Sequence, residues 1–143
     1  MLTVALFGAD EDSVLVRLRL REGGFRTVGA YVQEVQSGAV DLGALLEHTR
    51  PDVVIYDFVQ PAGRSARWLR ELERLCEQLD IACVLTVRDV RDLQHVVVGW
   101  AACILIRPYD AEMARLAIRE AASEGRDDEG ADVEEDEGGE AAA

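Results

Sequence analysis

The stretch PDVVIYDFVQP, residues 51–61, sets four apolar or aromatic residues directly before an aspartate. The run Val53–Tyr56 has the composition of a strand, and both of its faces are apolar, as in a parallel sheet that is covered on both sides. Burying an unpaired charge is costly, so a buried strand seldom ends on a bare carboxylate. We therefore expect Asp57 to have a role at the end of this strand.

Strand-like and helix-like segments alternate along the rest of the chain. Four more short apolar runs have strand composition, at residues 3–7, 25–32, 81–87 and 103–106. Helices are predicted at residues 13–24, 37–50, 65–79, 89–100 and 110–122. The alternation VLVRLRL in the first of these segments also suits a strand. Five strands, each followed by a helix, predict an α/β fold: a three-layer sandwich with a five-stranded parallel sheet and helices on both faces.

The charge of the chain divides it into two parts. The net charge is −13, yet residues 124–140 hold ten acids and one base, whereas residues 1–123 hold 18 acids and 14 bases. The acidic segment has no aromatic residue and few large apolar ones, so it cannot bury enough surface to offset the cost of ordering. The sequence predicts one domain over residues 1–123 and a disordered acidic tail over 124–143.

Several classes of function are disfavoured by composition. All 15 basic residues are arginine, and they form no basic stripe for nucleic acid. The longest apolar stretch, residues 96–106, has eleven residues and is interrupted by Gly99, so it is too short to span a membrane. No signal peptide is evident, and the three cysteines are typical of buried thiols, so we expect a cytoplasmic protein. Phosphate-loop and dinucleotide-binding motifs are missing from the sequence, which disfavours a nucleotide-binding enzyme.

Polar residues follow four of the predicted strands. They are Gly8–Asp12 after the first, Asp57 after the third, Val87–Arg88 after the fourth and Arg107 after the fifth. In parallel α/β sheets, ligands bind beyond the carboxyl ends of the strands. We expect these four places to converge on one pocket.

Two of these places resemble the receiver domains of two-component response regulators. In that family the phosphorylated aspartate ends the third strand and a proline follows four residues later, a spacing that Asp57 and Pro61 keep. The stretch ILIRPYD, residues 104–110, is similar to the end of the fifth strand, where the family has lysine, proline and an aromatic residue. The resemblance covers about residues 2–122 and implies a doubly wound, flavodoxin-like fold. It also implies phosphorylation of Asp57, with Arg107 contacting the phosphate in place of lysine.

The resemblance further implies a magnesium site. The family uses two adjacent acids after the first strand, and here those positions hold Ala9 and Asp10, with Glu11 or Asp12 as substitutes. The carboxylate of Asp57 and the main-chain carbonyl of Val59 would complete the protein ligands. Helix capping and compensation of the helix dipole are the alternative roles of residues 10–12.

Two other positions depart from the family pattern. The family has a serine or threonine hydroxyl at the end of the fourth strand, and a count from Asp57 without gaps places Val87 there. Thr86 comes one residue earlier, and we expect it to point to the opposite face of the strand unless the alignment shifts by one residue. Ile104 occupies the position of the family's aromatic switch residue on the fifth strand.

The most consistent interpretation is a stand-alone, atypical receiver domain, a phosphorelay signalling module and not an enzyme. Its expected partners are a histidine kinase or phosphotransfer protein and a downstream protein. The alternative is a phosphorylation-independent pseudo-receiver that serves as an interaction module, with Asp57 paired to Arg107. We also expect a homodimer through the face of the fourth predicted helix (89–100), the fifth strand and the last helix. There Arg91, Asp92, Asp110 and Arg115 form a mixed-sign pattern.

Overall fold

Five parallel strands form the centre of the protein. The computed structural model describes residues 1–95 and 99–135, and of residues 125–135 it describes the backbone only. The strands are β1 (Thr3–Gly8), β2 (Arg26–Tyr31), β3 (Val53–Asp57), β4 (Ala82–Val87) and β5 (Cys103–Ile106). They pair in the order β2-β1-β3-β4-β5, which is the doubly wound, flavodoxin-like order. The predicted fold class is confirmed.

Helices connect the strands. They are α1 (Glu11–Glu22), α2 (Val32–Ser37), α3 (Leu42–Thr49), α4 (Ala62–Leu79) and α5 (Ala111–Glu135), with a 3-10 helix at Val90–His95. Asp10 and Asp41 cap α1 and α3 by accepting hydrogen bonds from main-chain N–H groups in the first turn. The helix prediction for the alternating VLVRLRL stretch is therefore confirmed. No helix in residues 1–95 or 99–135 is long and apolar enough to cross a membrane.

The connections differ from the prediction in two places. The helix predicted over residues 37–50 begins later, at Leu42, and a separate helix α2, not predicted for residues 32–36, precedes it; Gly38 in a left-handed conformation (φ 87°) ends α2. The helix predicted over residues 89–100 is wrong for residues 90–95, which form a 3-10 helix; residues 96–98 lie outside the described residues. At the start of this segment the Asp89 carboxylate accepts a hydrogen bond from the main-chain N–H of Arg91 (2.9 Å). Such local bonds compete with α-helical ones.

Helix α5 continues beyond the predicted domain boundary. Its backbone is helical to Glu135, whereas we expected disorder from residue 124. The helix is already anchored by packing of its first three turns, so its extension does not require a new nucleus. Residues 136–143 of the expected tail lie outside the described residues. The division into a domain and a tail remains a prediction.

The sheet is covered on both faces, and this fixes the direction of each side chain. Helices α1 and α5 pack on one face, over Ile55 and Val84. Helices α2, α3 and α4 pack on the other face, over Tyr56 and Leu85. Since side chains alternate along a strand, residues two positions apart lie on the same face. The residues that follow Ile55 and Val84 by two, Asp57 and Thr86, therefore lie on the α1–α5 face.

The tail is expected to be dispensable for folding. Ala121 is fully buried and Ala122 is partly buried against the core, whereas Ser123 and Glu124 are exposed. Truncation after Ser123 should change the melting temperature by less than about 5 °C, the change that corresponds to roughly 1 kcal/mol in a domain of this size. Thermal unfolding followed by circular dichroism measures the difference. A larger decrease would mean that residues 124–143 pack against the domain.

Candidate functional site

The carboxylate of Asp57 is the centre of a buried polar cluster. Its side chain lies at the carboxyl end of the central strand β3 and is only 3% exposed. Oδ1 accepts a hydrogen bond from the Thr86 hydroxyl. Oδ2 accepts one from the main-chain N–H of Ala9 (2.7 Å) and lies 3.7 Å from Nη1 of Arg107. A hydroxyl from β4, an N–H group from the β1–α1 turn and a guanidinium from the end of β5 thus converge on one carboxylate.

The position of Thr86 corrects the sequence alignment. In the pairing of β3 with β4, Ile55 lies opposite Val84 and Asp57 lies opposite Thr86. Thr86 is fully buried on the same face as Asp57, whereas Val87 packs in the core on the other face. Our placement of the hydroxyl position at Val87 was wrong, because the connection between β3 and β4 is one residue shorter than a count without gaps assumes.

The main-chain N–H of Ala9 is held in place by neighbouring contacts. A Cβ atom on Gly8 would lie 1.9 Å from the Ser13 hydroxyl oxygen, so only glycine lets the β1–α1 turn fold this tightly. Ser13 donates to the carbonyl of Asp10 (2.6 Å). Gln33 of α2 donates to the carbonyl of Ala9 (3.0 Å) and thereby helps to orient the peptide groups around that residue.

Arg107 is anchored to the loop that follows β3. Its Nη2 donates to the carbonyl of Phe58, and its side chain is only 13% exposed. This bond fixes the guanidinium beside Asp57 instead of letting it extend into solvent. The Arg107–Pro108 peptide bond is cis, and Tyr109 follows with its hydroxyl buried.

A cavity of about 500 Å³ opens beside Asp57, between α1 and the loop from β5 to α5. Its lining is partly apolar and partly charged, and includes Asp10, Leu15, Asp57, Arg88, Arg107 and Tyr109. A ligand in this cavity could reach the Asp57 carboxylate in spite of the low exposure of that residue.

The surroundings of Asp57 shift the pKa of its carboxyl group in opposite directions. Burial raises the pKa of its carboxyl group above the ordinary value of 3.8, and this effect is larger than the lowering by Thr86, Ala9 and Arg107. The negative charge of Asp10 raises the pKa further. The ionised form of Asp57 is therefore held in the folded protein at some cost in stability.

Of the residues implied as magnesium ligands, Asp10 and Asp57 line the same cavity, but Asp10 and the Val59 carbonyl have hydrogen-bond partners within the chain. Asp10 caps α1 and accepts from the N–H of Asp12 (3.0 Å), which is the alternative role weighed for it. The carbonyl of Val59 accepts a hydrogen bond from the buried hydroxyl of Ser65. Among residues 1–95 and 99–135, no group of three or more histidine, cysteine or acidic side chains could hold a metal ion. The guanidinium of Arg107, and not a set of carboxylates, faces Oδ2 of Asp57.

The remaining predicted residues do not hydrogen-bond to the Asp57 carboxylate. Glu11 and Asp12 are exposed in the first turn of α1, where their negative charges interact favourably with the positive end of the helix dipole. Ile104 is 39% exposed on β5. Sequence reasoning missed Gln33, Ser65 and the hydroxyl of Tyr109. Of these, only Tyr109 had a signal, since it directly follows the Arg–Pro pair.

Comparisons with known proteins support the fold. No protein-family model and no curated protein matches the sequence. Among solved structures, a response regulator receiver domain protein from Clostridium thermocellum superposes with a TM-score of 0.64 at 18% identity, over 88% of this chain and 98% of that one. A sensor protein from Polaromonas sp. JS666 superposes with a TM-score of 0.67 at 18% identity, over 86% of this chain and 97% of that one. The signal receiver domain of a modulated diguanylate cyclase from Desulfovibrio desulfuricans G20 superposes with a TM-score of 0.59 at 17% identity, over 88% of this chain and 97% of that one.

Removing the charge of Asp57 is expected to stabilise the protein at neutral pH. Because the folded pKa is raised, the stability cost is absent below about pH 4, grows as the pH rises through the folded pKa and is complete above it. Asp57→Asn should therefore raise the melting temperature at pH 7 by about 3–5 °C, on the order of 1 kcal/mol. The gain in melting temperature over the wild type should shrink as the pH is lowered towards 4.

The control is Asp80→Asn, at an exposed residue that ends α4 in a left-handed conformation that asparagine also adopts. This change should show no such pH dependence in thermal scans. A loss of stability at pH 7 in Asp57→Asn would mean that the bonds from Thr86, Ala9 and Arg107 outweigh the cost of burial.

Proposed function

We propose that this chain, which has the fold of a response-regulator receiver domain, accepts a phosphoryl group on Asp57 and signals through protein contacts. The observation that carries the proposal is the convergence of the Thr86 hydroxyl, the Ala9 N–H group and the Arg107 guanidinium on that carboxylate. Transfer of a phosphoryl group requires positioning and positive charge around the transferred oxygens, and these groups are donors of that kind.

The reaction is an exchange of one bond to phosphorus for another. An oxygen of the Asp57 carboxylate forms a bond to the phosphorus of a phosphohistidine. The bond between phosphorus and the imidazole nitrogen breaks, and its electron pair stays on that nitrogen. The product is an acyl phosphate. Its phosphoryl oxygens need hydrogen-bond donors from this chain, because they have left the donors of the phosphohistidine protein. Arg107 keeps a positive charge there and can donate to two oxygens through the planar fork of its guanidinium, a geometry that lysine lacks.

The partners follow from this chemistry. The phosphoryl donor would be a histidine kinase or a phosphotransfer protein, and the output would be a change in affinity for a downstream protein in the cytoplasm. The main body of the chain is only mildly acidic and has no basic stripe, so we do not expect direct nucleic-acid binding.

A pseudo-receiver without phosphate chemistry is the second candidate. Two observations favour it: Ala9 stands where the family has its first acid, and Asp57 already has an ion-pair partner in Arg107 at 3.7 Å. In that case the buried pair would stabilise a fixed binding surface. The two candidates differ in one measurable property, the reactivity of Asp57.

Acetyl phosphate should label the chain on Asp57. The purified protein is incubated with acetyl phosphate, both with magnesium and with a chelator, because Asp10 and the Val59 carbonyl, which are implied as magnesium ligands, are engaged within the chain. Intact-mass spectrometry should detect one added phosphoryl group that is lost in base or hydroxylamine. Asp57→Asn should abolish the label, and Asp52→Asn, at an exposed aspartate that bonds Thr3, should keep it. An unlabelled wild type under both conditions would support the pseudo-receiver.

For self-association we propose a different basis from the charge match that the sequence suggested. The four charges of the expected dimer face are engaged within the chain: Arg91 pairs with Asp89, Arg115 pairs with Glu112, Asp92 accepts from Gln60, and Asp110 caps α5. They are therefore poorly suited to match a second copy. The same region is instead apolar. Five of the eight exposed large apolar residues among the described side chains lie there, at Val90, Ile104, Ile106, Met113 and Leu116.

We expect a second copy of the chain to cover this apolar surface. Leu116→Arg should then convert a dimer into a monomer, because an exposed Leu116 side chain (58% exposed) would be buried in the interface. Leu18→Arg, at a residue 46% exposed on α1, is the matched control and should leave the dimer intact. Sedimentation equilibrium measures both. A wild-type chain that is monomeric at every concentration contradicts the expectation.

A further inference from the structure

Two side-chain donors beside Asp57 have no hydrogen-bond partner. Within residues 1–95 and 99–135, four buried side-chain polar atoms have no partner: Thr27 Oγ1, Tyr56 Oη, Arg107 Nε and Tyr109 Oη. Arg107 and Tyr109 both line the cavity that contains the Asp57 carboxylate. Buried polar groups are normally paired, so two unpaired groups at one cavity call for an explanation.

An acceptor in the cavity would satisfy both atoms. The Nε–H of arginine is a donor without acceptor capacity. Burial raises the pKa of the Tyr109 hydroxyl, and the nearby charges of Asp57 and Asp10 raise it further, so the group remains a protonated donor. Tyr109 and Asp57 line the same cavity.

The carboxylate of Asp57 does not serve these donors. Oδ1 is bonded to Thr86, and Oδ2 is bonded to Ala9. The cavity is also lined by the carboxylates of Asp10, Asp12 and Asp110, and none of them bonds either donor. Asp10 caps α1 by accepting from the N–H of Asp12, and Asp110 caps α5 by accepting from the N–H of Met113. An oxyanion bound on Asp57 would bring new acceptor oxygens into the cavity, towards the two unpaired donors.

We propose that the Tyr109 hydroxyl, together with Nε of Arg107, donates hydrogen bonds to the phosphoryl group carried by Asp57. This inference rests on the proposed function and assigns the Tyr109 hydroxyl as a specific anion-binding group. The receiver-like arginine–proline–aromatic stretch thus contributes two donors: the guanidinium of its first residue and the hydroxyl of its third.

The test compares Tyr109→Phe, which removes one oxygen, with Tyr31→Phe, which removes a hydroxyl at the end of β2. The ligand is beryllofluoride, an analogue of a phosphoryl group on a carboxylate, and its binding is measured by fluorine NMR. Tyr109→Phe should bind it about 10-fold or more weakly, the effect of losing one hydrogen bond to a charged group. Tyr31→Phe should bind it as the wild type does.

A structural role of the hydroxyl would give a different result. Removing an unpaired buried hydroxyl should leave the melting temperature of Tyr109→Phe unchanged or slightly higher. The chain has three tyrosines, so ¹³Cζ labelling gives three signals that the Tyr→Phe variants assign. Beryllofluoride should shift the signal of Tyr109 and leave that of Tyr31 in place.

The outcomes separate this inference from the proposed function. If beryllofluoride binds and Asp57 is labelled, but the Tyr109 signal stays fixed and Tyr109→Phe binds normally, the inference is overturned and the proposed function stands. If Asp57 is never labelled but orthophosphate shifts the Tyr109 signal, the proposed function fails and the anion site remains. If neither anion shifts the signal and Asp57 is unlabelled, both are overturned.

Discussion

The buried carboxylate of Asp57 is the constraint on which the arrangement of the surrounding loops depends. A charge that is 3% exposed would destabilise the fold without partners, so each neighbouring loop brings a donor to it. The β1–α1 turn contributes a main-chain N–H group, β4 a hydroxyl and the end of β5 a guanidinium. The tight turn at Gly8 and the Gln33 bond to Ala9 are best understood as supports for this arrangement.

These partners do not cancel the cost of burial. The pKa of Asp57 stays raised because desolvation outweighs the three donors. A strained, incompletely compensated charge is common where a protein retains chemical reactivity, since stability and activity often conflict there. The same geometry also suits a passive ion pair, which is why the reactivity of Asp57 separates a receiver from a pseudo-receiver.

The region between β4 and α5 carries an exposed apolar surface. A 3-10 helix at Val90–His95 follows β4, and Ile104 and Ile106 of β5 remain exposed on one face of the sheet. This apolar surface lies near Asp57, so phosphorylation of Asp57 would have a short path by which to change partner binding. Such a connection would not require an aromatic side chain at position 104.

The sequence by itself determined the order of the strands and helices, because apolar runs of strand length alternate with amphipathic segments. It also singled out Asp57 and Arg107, since each follows an apolar run of strand length. It could not place Thr86, because a count along the chain carries no information about the pairing register. Only the tertiary structure decided that register. Helices on both faces fix which residues point to which side, and this sets Thr86 opposite Asp57. The engagement of the Val59 carbonyl by Ser65 and the unpaired hydroxyl of Tyr109 were likewise invisible in the sequence, because they depend on contacts between residues from different elements.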